Sequence, residues 1–129
     1  MSNTQLDILT AVFNDFEGPA ILQANVMPES ALLSLHIPTD LSWFDGHFPD
    51  AKVLPGVVQV DWAGKLGKAL FPALTTFQQL GNIKFKTMIM PDTQLTLELQ
   101  YNESKGSLKF QYFNANNVFS TGSIKFTSS

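Results

Sequence analysis

The chain has 129 residues, enough for one domain with one core and too few for two. Hydrophobic residues make up 44% and charged residues 15%, which excludes an intrinsically disordered chain. The net charge is −3 with no arginine, so bidentate guanidinium clamps are impossible and nucleic-acid binding is not expected. There is no cysteine, which removes disulfides, thiol nucleophiles and thiolate metal sites and fits a reducing compartment. The opening residues carry no basic, signal-like apolar run, and no apolar stretch approaches the ~20 residues that span a bilayer. A cytoplasmic protein without a membrane partner is the expectation.

In chain order, Leu6, Ile8, Leu9, Val12 and Phe13 give a short helix pattern that Gly18-Pro19 ends. Ala20 to Met27 reads as a strand with Leu22, Ala24 and Val26 on one face, followed by the turn Pro28-Glu29-Ser30. Ala31 to Ile37 reads as a second strand in which Leu33, Leu35 and Ile37 alternate with Leu32, Ser34 and His36. Thr39 to Leu54 is mostly loop. Pro55 suits the first turn of a helix, where its missing N–H is no loss. Gly56 to Leu70 is then apolar nearly all round in its first half, which predicts a buried helix. Gly64 and Gly67 each weaken it by about 1 kcal/mol relative to alanine, which suggests close backbone approach to a neighbour. Phe71-Pro72 stops it.

From residue 77 the pattern is strand. Ile83 and Phe85 alternate with Lys84 and Lys86 and run on into Met88 and Met90, before Pro91-Asp92 turns the chain. Leu95, Leu97, Leu99 and Tyr101 alternate with polar residues, as in a sheet with one wet face. Leu108, Phe110 and Tyr112 do the same after a hairpin loop at 102–106, and Val118 to Thr127 is the last strand, loosened by Gly122. Consecutive hairpins with one long apolar helix predict a single α+β domain over 1–129, an antiparallel sheet with helix on one side.

Two residues stand out as chemistry. His47 sits in a loop between Gly46 and Phe48-Pro49 and is the side chain most easily poised as a general base near neutral pH; the competing reading is a surface or capping histidine. Asp61 is an acid inside an apolar helical run, about two turns from Pro55. Either it is buried and favours its protonated form, able to donate to a leaving group, or it faces water and pairs with Lys65 one turn later. His36, on a strand face beside Ser34, reads as structural or exposed. Two histidines at this spacing and scattered acids form no recognised metal-ligand pattern, so no metal is expected. No nucleophile elbow, phosphate loop or dinucleotide fingerprint is present. Lys84 and Lys86 form a small basic ridge that is either a solvated face or a contact for an acidic partner.

Gly46-His47-Phe48-Pro49, then Pro55-Gly56-Val57 and an acid fourteen residues after the histidine, resemble the motif of the 3-hydroxyacyl-(acyl-carrier-protein) dehydratases of fatty-acid synthesis. The resemblance extends over most of the chain. The run Val53 to Trp62 looks most like the small dehydratases of aryl-polyene gene clusters. It implies a hot-dog fold, an antiparallel sheet wrapped around a long central helix. It also implies dehydration of a 3-hydroxyacyl thioester on acyl carrier protein, with no cofactor. His47 would take the proton at C2, with its other nitrogen held by the carbonyl of Val53. Asp61 would help expel the C3 hydroxyl. The N–H of Gly56 at the helix start would polarise the thioester carbonyl, where helix N-termini supply donors and partial positive charge. Phe44 and Phe48 would wall the acyl tunnel beside Pro55 and Val57, and Lys84 and Lys86 would dock the carrier. The site would lie across the interface of a homodimer, or of an oligomer of dimers.

The chain departs from the family at several positions. Lys65 stands where the family has glutamine, and could pair with Asp61 and make it a weaker proton donor. Asp50 and Lys52 replace a common glycine and proline in the loop. Two other readings stay open: a hot-dog thioesterase, against which the Gly-His-Phe-Pro segment argues, and a catalytically weak acyl-binding partner subunit, which Lys65 keeps open.

Overall fold

A computed structural model describes residues 8–13, 17–44 and 53–128, without the side chains of Trp43 and Ser128. The fold is built from β1 (Ala20–Val26), β2 (Ser30–His36), a 3₁₀ turn (Ser42–Phe44), α1 (Gly56–Leu70), β3 (Leu74–Phe85), β4 (Gln94–Asn102), β5 (Ser107–Phe113) and β6 (Val118–Ser128). Residues 8–10 are helical, in keeping with the short N-terminal pattern; the start of that pattern lies outside the described residues.

All six strands form one antiparallel sheet in the order β1-β2-β4-β5-β6-β3. The chain leaves β2 in one half of the sheet, crosses it through α1, and enters at the opposite edge as β3. This crossing presses the helix against the concave, apolar face of the sheet. It is the hot-dog arrangement expected from the resemblance.

The alternation in the sequence fixes which strand face meets the helix. Leu33 and Leu35 on β2, Leu97 and Leu99 on β4, and Leu108 and Tyr112 on β5 are fully buried. Leu97 pairs with Leu33 and Tyr112, and Leu99 with Ala31 and Phe110, so inward residues stack in continuous rows across the sheet. β1 departs from the expected pattern. Its register slips between Ile21 and Gln23, which leaves Leu22 as the extra residue of a bulge and 52% exposed, while Ile21 turns inward. A strict period of two cannot anticipate an inserted residue.

The tight turns between strands hold themselves. Asn102 Oδ1 accepts from Ser104 Oγ and the Lys105 N–H, and Asn114 Oδ1 accepts from the N–H groups of Asn116 and Asn117. Gly106 adopts φ 61 with the Phe126 carbonyl where a Cβ would need to be, so this turn requires glycine.

The helix matches its expected bounds, with Pro55 as N-cap residue and Phe71 as C-cap, whose N–H donates to the Gly67 carbonyl. Its second half is solvated at Lys65 and Lys68 as expected, but the first half is not buried all round in the single chain. Val58, Gln59, Trp62, Ala63, Leu66 and Gly67 are buried. Val57, Asp61, Lys65 and Lys68 form an opposite, exposed stripe at helical spacing. The two glycines also differ. A Cβ on Gly67 would lie 2.3 Å from Leu108 Cδ2, so the helix approaches β5 closely there; at Gly64 the nearest atom, Ile124 Cδ1, is at an ordinary 3.6 Å. Gly122 does not loosen β6. It is buried, and a Cβ would strike Ile83 and the Phe110 ring, so it is a packing position. β3 ends at Phe85, short of the expected run through Met88 and Met90, because the chain turns at 86 and 87 to donate both N–H groups to the Phe119 carbonyl.

Candidate functional site

The helix start is built for an exposed backbone donor. The first intrahelical bonds run from Val58 and Gln59 to the Pro55 carbonyl, so the N–H groups of Gly56 and Val57 lie ahead of them. Pro55, the N-cap residue, makes no side-chain capping bond. The Phe85 ring lies over Gly56 so closely that a Cβ would sit 2.6 Å from it. A side chain at 56 would have to displace the Phe85 ring, and glycine leaves the backbone as the polar group there.

Asp61 stands one turn beyond Val57 on the open stripe. Its carboxylate is not buried in the single chain: Lys65 Nζ is 3.1 Å from Asp61 Oδ2, with the side chains 50% and 46% exposed respectively. Of the two readings drawn from the sequence, the structure supports the pair with Lys65. The Lys65 ammonium also lies 6.0 Å from the Phe13 ring centroid, at the outer limit of a cation–π contact. Phe13 in turn meets Trp62 edge to face at 6.0 Å, and the Trp62 indole N–H donates to the Glu17 carbonyl. The N-terminal segment thus braces the middle of the helix.

Beside Asp61 runs an apolar groove of about 660 Å³. One wall is the open stripe of α1, including Val57, Val60, Asp61, Gly64, Lys65 and Lys68; the other is Phe77, Leu80, Ile83 and Phe85 of β3 with Ile124 and Phe126 of β6. Val57, Phe77, Leu80 and Phe85 are large apolar side chains left substantially exposed, which is unusual for one contiguous surface. β3 is also an edge strand of the sheet.

The sequence-predicted residues divide as follows. Pro55, Gly56, Val57, Asp61 and Lys65 lie together along α1, with Val53 partly buried just ahead of them. Phe44 is buried at 2% exposure in the main core and does not line the groove. Lys84 and Lys86 are exposed at the end of β3 and just beyond it. His47 and Phe48 lie outside the described residues. His36 is where it was expected, at the surface, with Nε2 2.7 Å from Asp92 Oδ1. Among the described residues no group of histidine and acidic side chains could hold a metal ion.

One set of polar residues escaped the sequence reading. Gln59 is 3% exposed and Ser120 fully buried. The Gln59 amide Nε2 donates to the Leu54 carbonyl at 3.1 Å, Ser120 Oγ donates to Gln59 Oε1 at 2.7 Å, and the Tyr112 hydroxyl donates to the Gln59 carbonyl at 2.7 Å. Burial pushes the Tyr112 hydroxyl well above its usual range, and the negative charge of Asp61 adds to the effect. A glutamine between Val58 and Val60, in a run otherwise apolar, was the available signal.

A long helix against one antiparallel sheet, with an acid on its open face beside an apolar groove, defines a hot-dog protein. Residues 23–123 match the ApeI-like family, described as ApeI dehydratase, and the chain belongs to that family. A chain of the dehydratase heterocomplex ApeI:P from Xenorhabdus doucetiae superposes with a TM-score of 0.80 at 30% identity, over 85% of this chain and 98% of that one. An uncharacterized protein from Erwinia carotovora subsp. atroseptica gives a TM-score of 0.74 at 33% identity, over 86% and 97%. The 3-hydroxyacyl-(acyl-carrier-protein) dehydratase FabZ of Geobacillus thermodenitrificans is 32% identical over 74 residues, 52% of this chain and 51% of that protein. The chain thus spans about half the length of the curated relatives it matches. No helix among the described residues is long and apolar enough to cross a membrane.

Proposed function

We propose that the protein dehydrates a 3-hydroxyacyl thioester, carried on acyl carrier protein, to a trans-2-enoyl thioester. The observation that carries this reading is the placement of Val57 and Asp61 on one apolar groove along α1, a helix whose first residue is Gly56. The acyl chain lies along the groove, and the thioester oxygen takes the Gly56 N–H as its donor when charge develops on it. His47 removes the proton at C2, its other nitrogen oriented by the Val53 carbonyl. Asp61, once the face is covered and its pairing with Lys65 given up, holds a proton and delivers it to the C3 hydroxyl, directly or through a water, and the C–O bond breaks to release water. Each proton taken at C2 is matched by one given at C3, so no cofactor is needed.

A second copy of the chain covers the open face in this reading. The exposed Val57, the apolar edge strand β3 and the half-exposed Asp61 support such a dimer, with His47 of one copy facing Asp61 of the other. Exposed Lys84 and Lys86 near the same edge suit an acidic carrier.

One observation favours a second reading. The Lys65–Asp61 pair suits a catalytically weak acyl-binding subunit, and one structural relative comes from a dehydratase heterocomplex.

Mass spectrometry of a 3-hydroxyacyl carrier protein incubated with the purified protein separates these readings. Loss of water, abolished in both His47→Ala and Asp61→Asn, is the expected result, with each variant slower by about a hundredfold or more. Release of a free acid would make the protein a thioesterase. Binding of the acyl carrier without turnover would make it a partner subunit.

A further inference from the structure

We infer that Gln59, resting on the dehydration reading above, is a positioning residue that holds the Gly56 N–H and the Val53 carbonyl in fixed relation to each other. Only two peptide planes separate the plane that carries the Val53 carbonyl from the start of α1. The Val53–Leu54 plane is held because the Leu54 N–H donates to the Ile89 carbonyl at 2.8 Å. The Leu54–Pro55 plane is held by the Gln59 side chain, whose amide donates to the Leu54 carbonyl at 3.1 Å. The Pro55–Gly56 plane, which carries the proposed oxyanion donor, is held by bonds from Val58 and from the Gln59 backbone N–H to the Pro55 carbonyl. Proline fixes the φ between the last two planes, so little freedom remains once both are bonded. Gln59 therefore acts on this segment twice, through its backbone and through its side chain.

The side chain is itself locked. Ser120 Oγ donates to its Oε1 at 2.7 Å, which sets which end of the amide faces Leu54. Ser120 pairs with Phe85 across β6 and β3, and Phe85 is the residue packed on Gly56. One buried amide thus joins the helix start, its entry segment and the strand pair that roofs Gly56. A buried amide used only to fill space would be a poor choice, since an apolar side chain of similar volume avoids the desolvation penalty. Its polarity makes sense as an instrument of orientation, because a small misplacement of a reacting geometry lowers the rate far more than it lowers substrate affinity.

The test compares Gln59→Met, Gln59→Glu and Ser120→Ala with wild type in the dehydration assay, alongside thermal melts. Gln59→Met keeps the volume and loses both side-chain bonds; its kcat is expected to fall by about tenfold or more with KM changed by less than about threefold, in protein that remains folded at the assay temperature. Gln59→Glu cannot donate to Leu54 as a carboxylate but can as a neutral acid, so its kcat relative to wild type should recover as pH falls. Tyr112 and Asp61, the neighbouring titratable groups, are common to both proteins and cancel in that ratio. Ser120→Ala should give a smaller loss in kcat. If Gln59→Met does not fold, the pH-dependent recovery of Gln59→Glu and the kcat loss of Ser120→Ala decide the matter. A folded Gln59→Met with wild-type kcat, or a Gln59→Glu that keeps wild-type kcat above the pH at which its own carboxyl is seen to ionise, overturns the inference while leaving the dehydration reading intact. A wild-type protein that does not dehydrate the substrate overturns both.

Discussion

The two faces of α1 differ both in composition and in how far they are finished: one is apolar around Gln59, the other sets Val57 beside Asp61, Lys65 and Lys68. On the buried face, Trp62, Ala63 and Leu66 are sealed by the sheet, and the polar Gln59 has partners for both ends of its amide. On the open face, Val57 is 77% exposed and Asp61 depends on a lysine of its own helix. The difference teaches that apolar character along a helix reports that it will be covered, but not by what. One face belongs to folding of the chain, the other to whatever lies on it during function.

Truncation on each face should break this contrast most visibly. Trp62→Ala is expected to destabilise the chain by about 3–5 kcal/mol, through the lost ring and its hydrogen bond to Glu17, in denaturant unfolding. Val57→Ala, also an apolar truncation but on the open face, should stay within about 0.5 kcal/mol under conditions that keep the chain monomeric. Equal losses at the two sites would show that the open face is already packed within one chain.

The glycines sharpen the same comparison with a smaller effect. Gly67→Ala drives a methyl into Leu108 and should cost about 1–3 kcal/mol. Gly64→Ala meets only ordinary contact and should gain up to about 1 kcal/mol from helix propensity.

Tyr112 tests the buried face by pH. Its hydroxyl is raised well above 10.0, so below that value it is protonated in both folded and unfolded chains and adds no pH dependence. Above pH 10.0 the unfolded chain loses this proton while the folded chain retains it. Stability must then fall as pH rises, by up to about 1.4 kcal/mol per pH unit, until the folded-state value is reached. Tyr112→Phe should remove that part of the alkaline slope, at a cost near neutral pH of about 1 kcal/mol for the lost bond to Gln59. The smallest effect belongs to Lys65→Gln, since an exposed pair one helical turn apart contributes a few tenths of a kcal/mol, and chemical denaturation should barely register its loss.

Much of the architecture was legible because local chemistry and tertiary need agree there. Pro55 and Phe71-Pro72 mark the helix ends. The clean alternation of Leu95 to Tyr101 and of Leu108 to Tyr112 predicts β4 and β5 and their inward faces. The misses share a cause, which is dependence on a neighbour far away in sequence. Leu22 faces outward because of a bulge against β2. Gly67 is tight and Gly64 is not because of where Leu108 and Ile124 fall. Of the candidate site, Asp61 and Lys65 were legible as a pair one turn apart on a single helix, while Gly56 and Val57 entered through the family resemblance. Gln59 was missed because its meaning lies in Leu54, Ser120 and Tyr112, which only the folded sheet brings to it.

The position of β3 has a consequence for how the chain is made. Among the described residues its partner strand is β6, so the ladder bonds along its 12 residues wait until residues 118–128 have been synthesised. Until then a nascent chain carries Phe77, Leu80 and Phe85 on a strand with both edges unpaired, a state open to capture by other chains. Late closure of this kind makes yield sensitive to temperature and to the rate of translation, and it makes β6 the element whose weakening should most increase aggregation during synthesis.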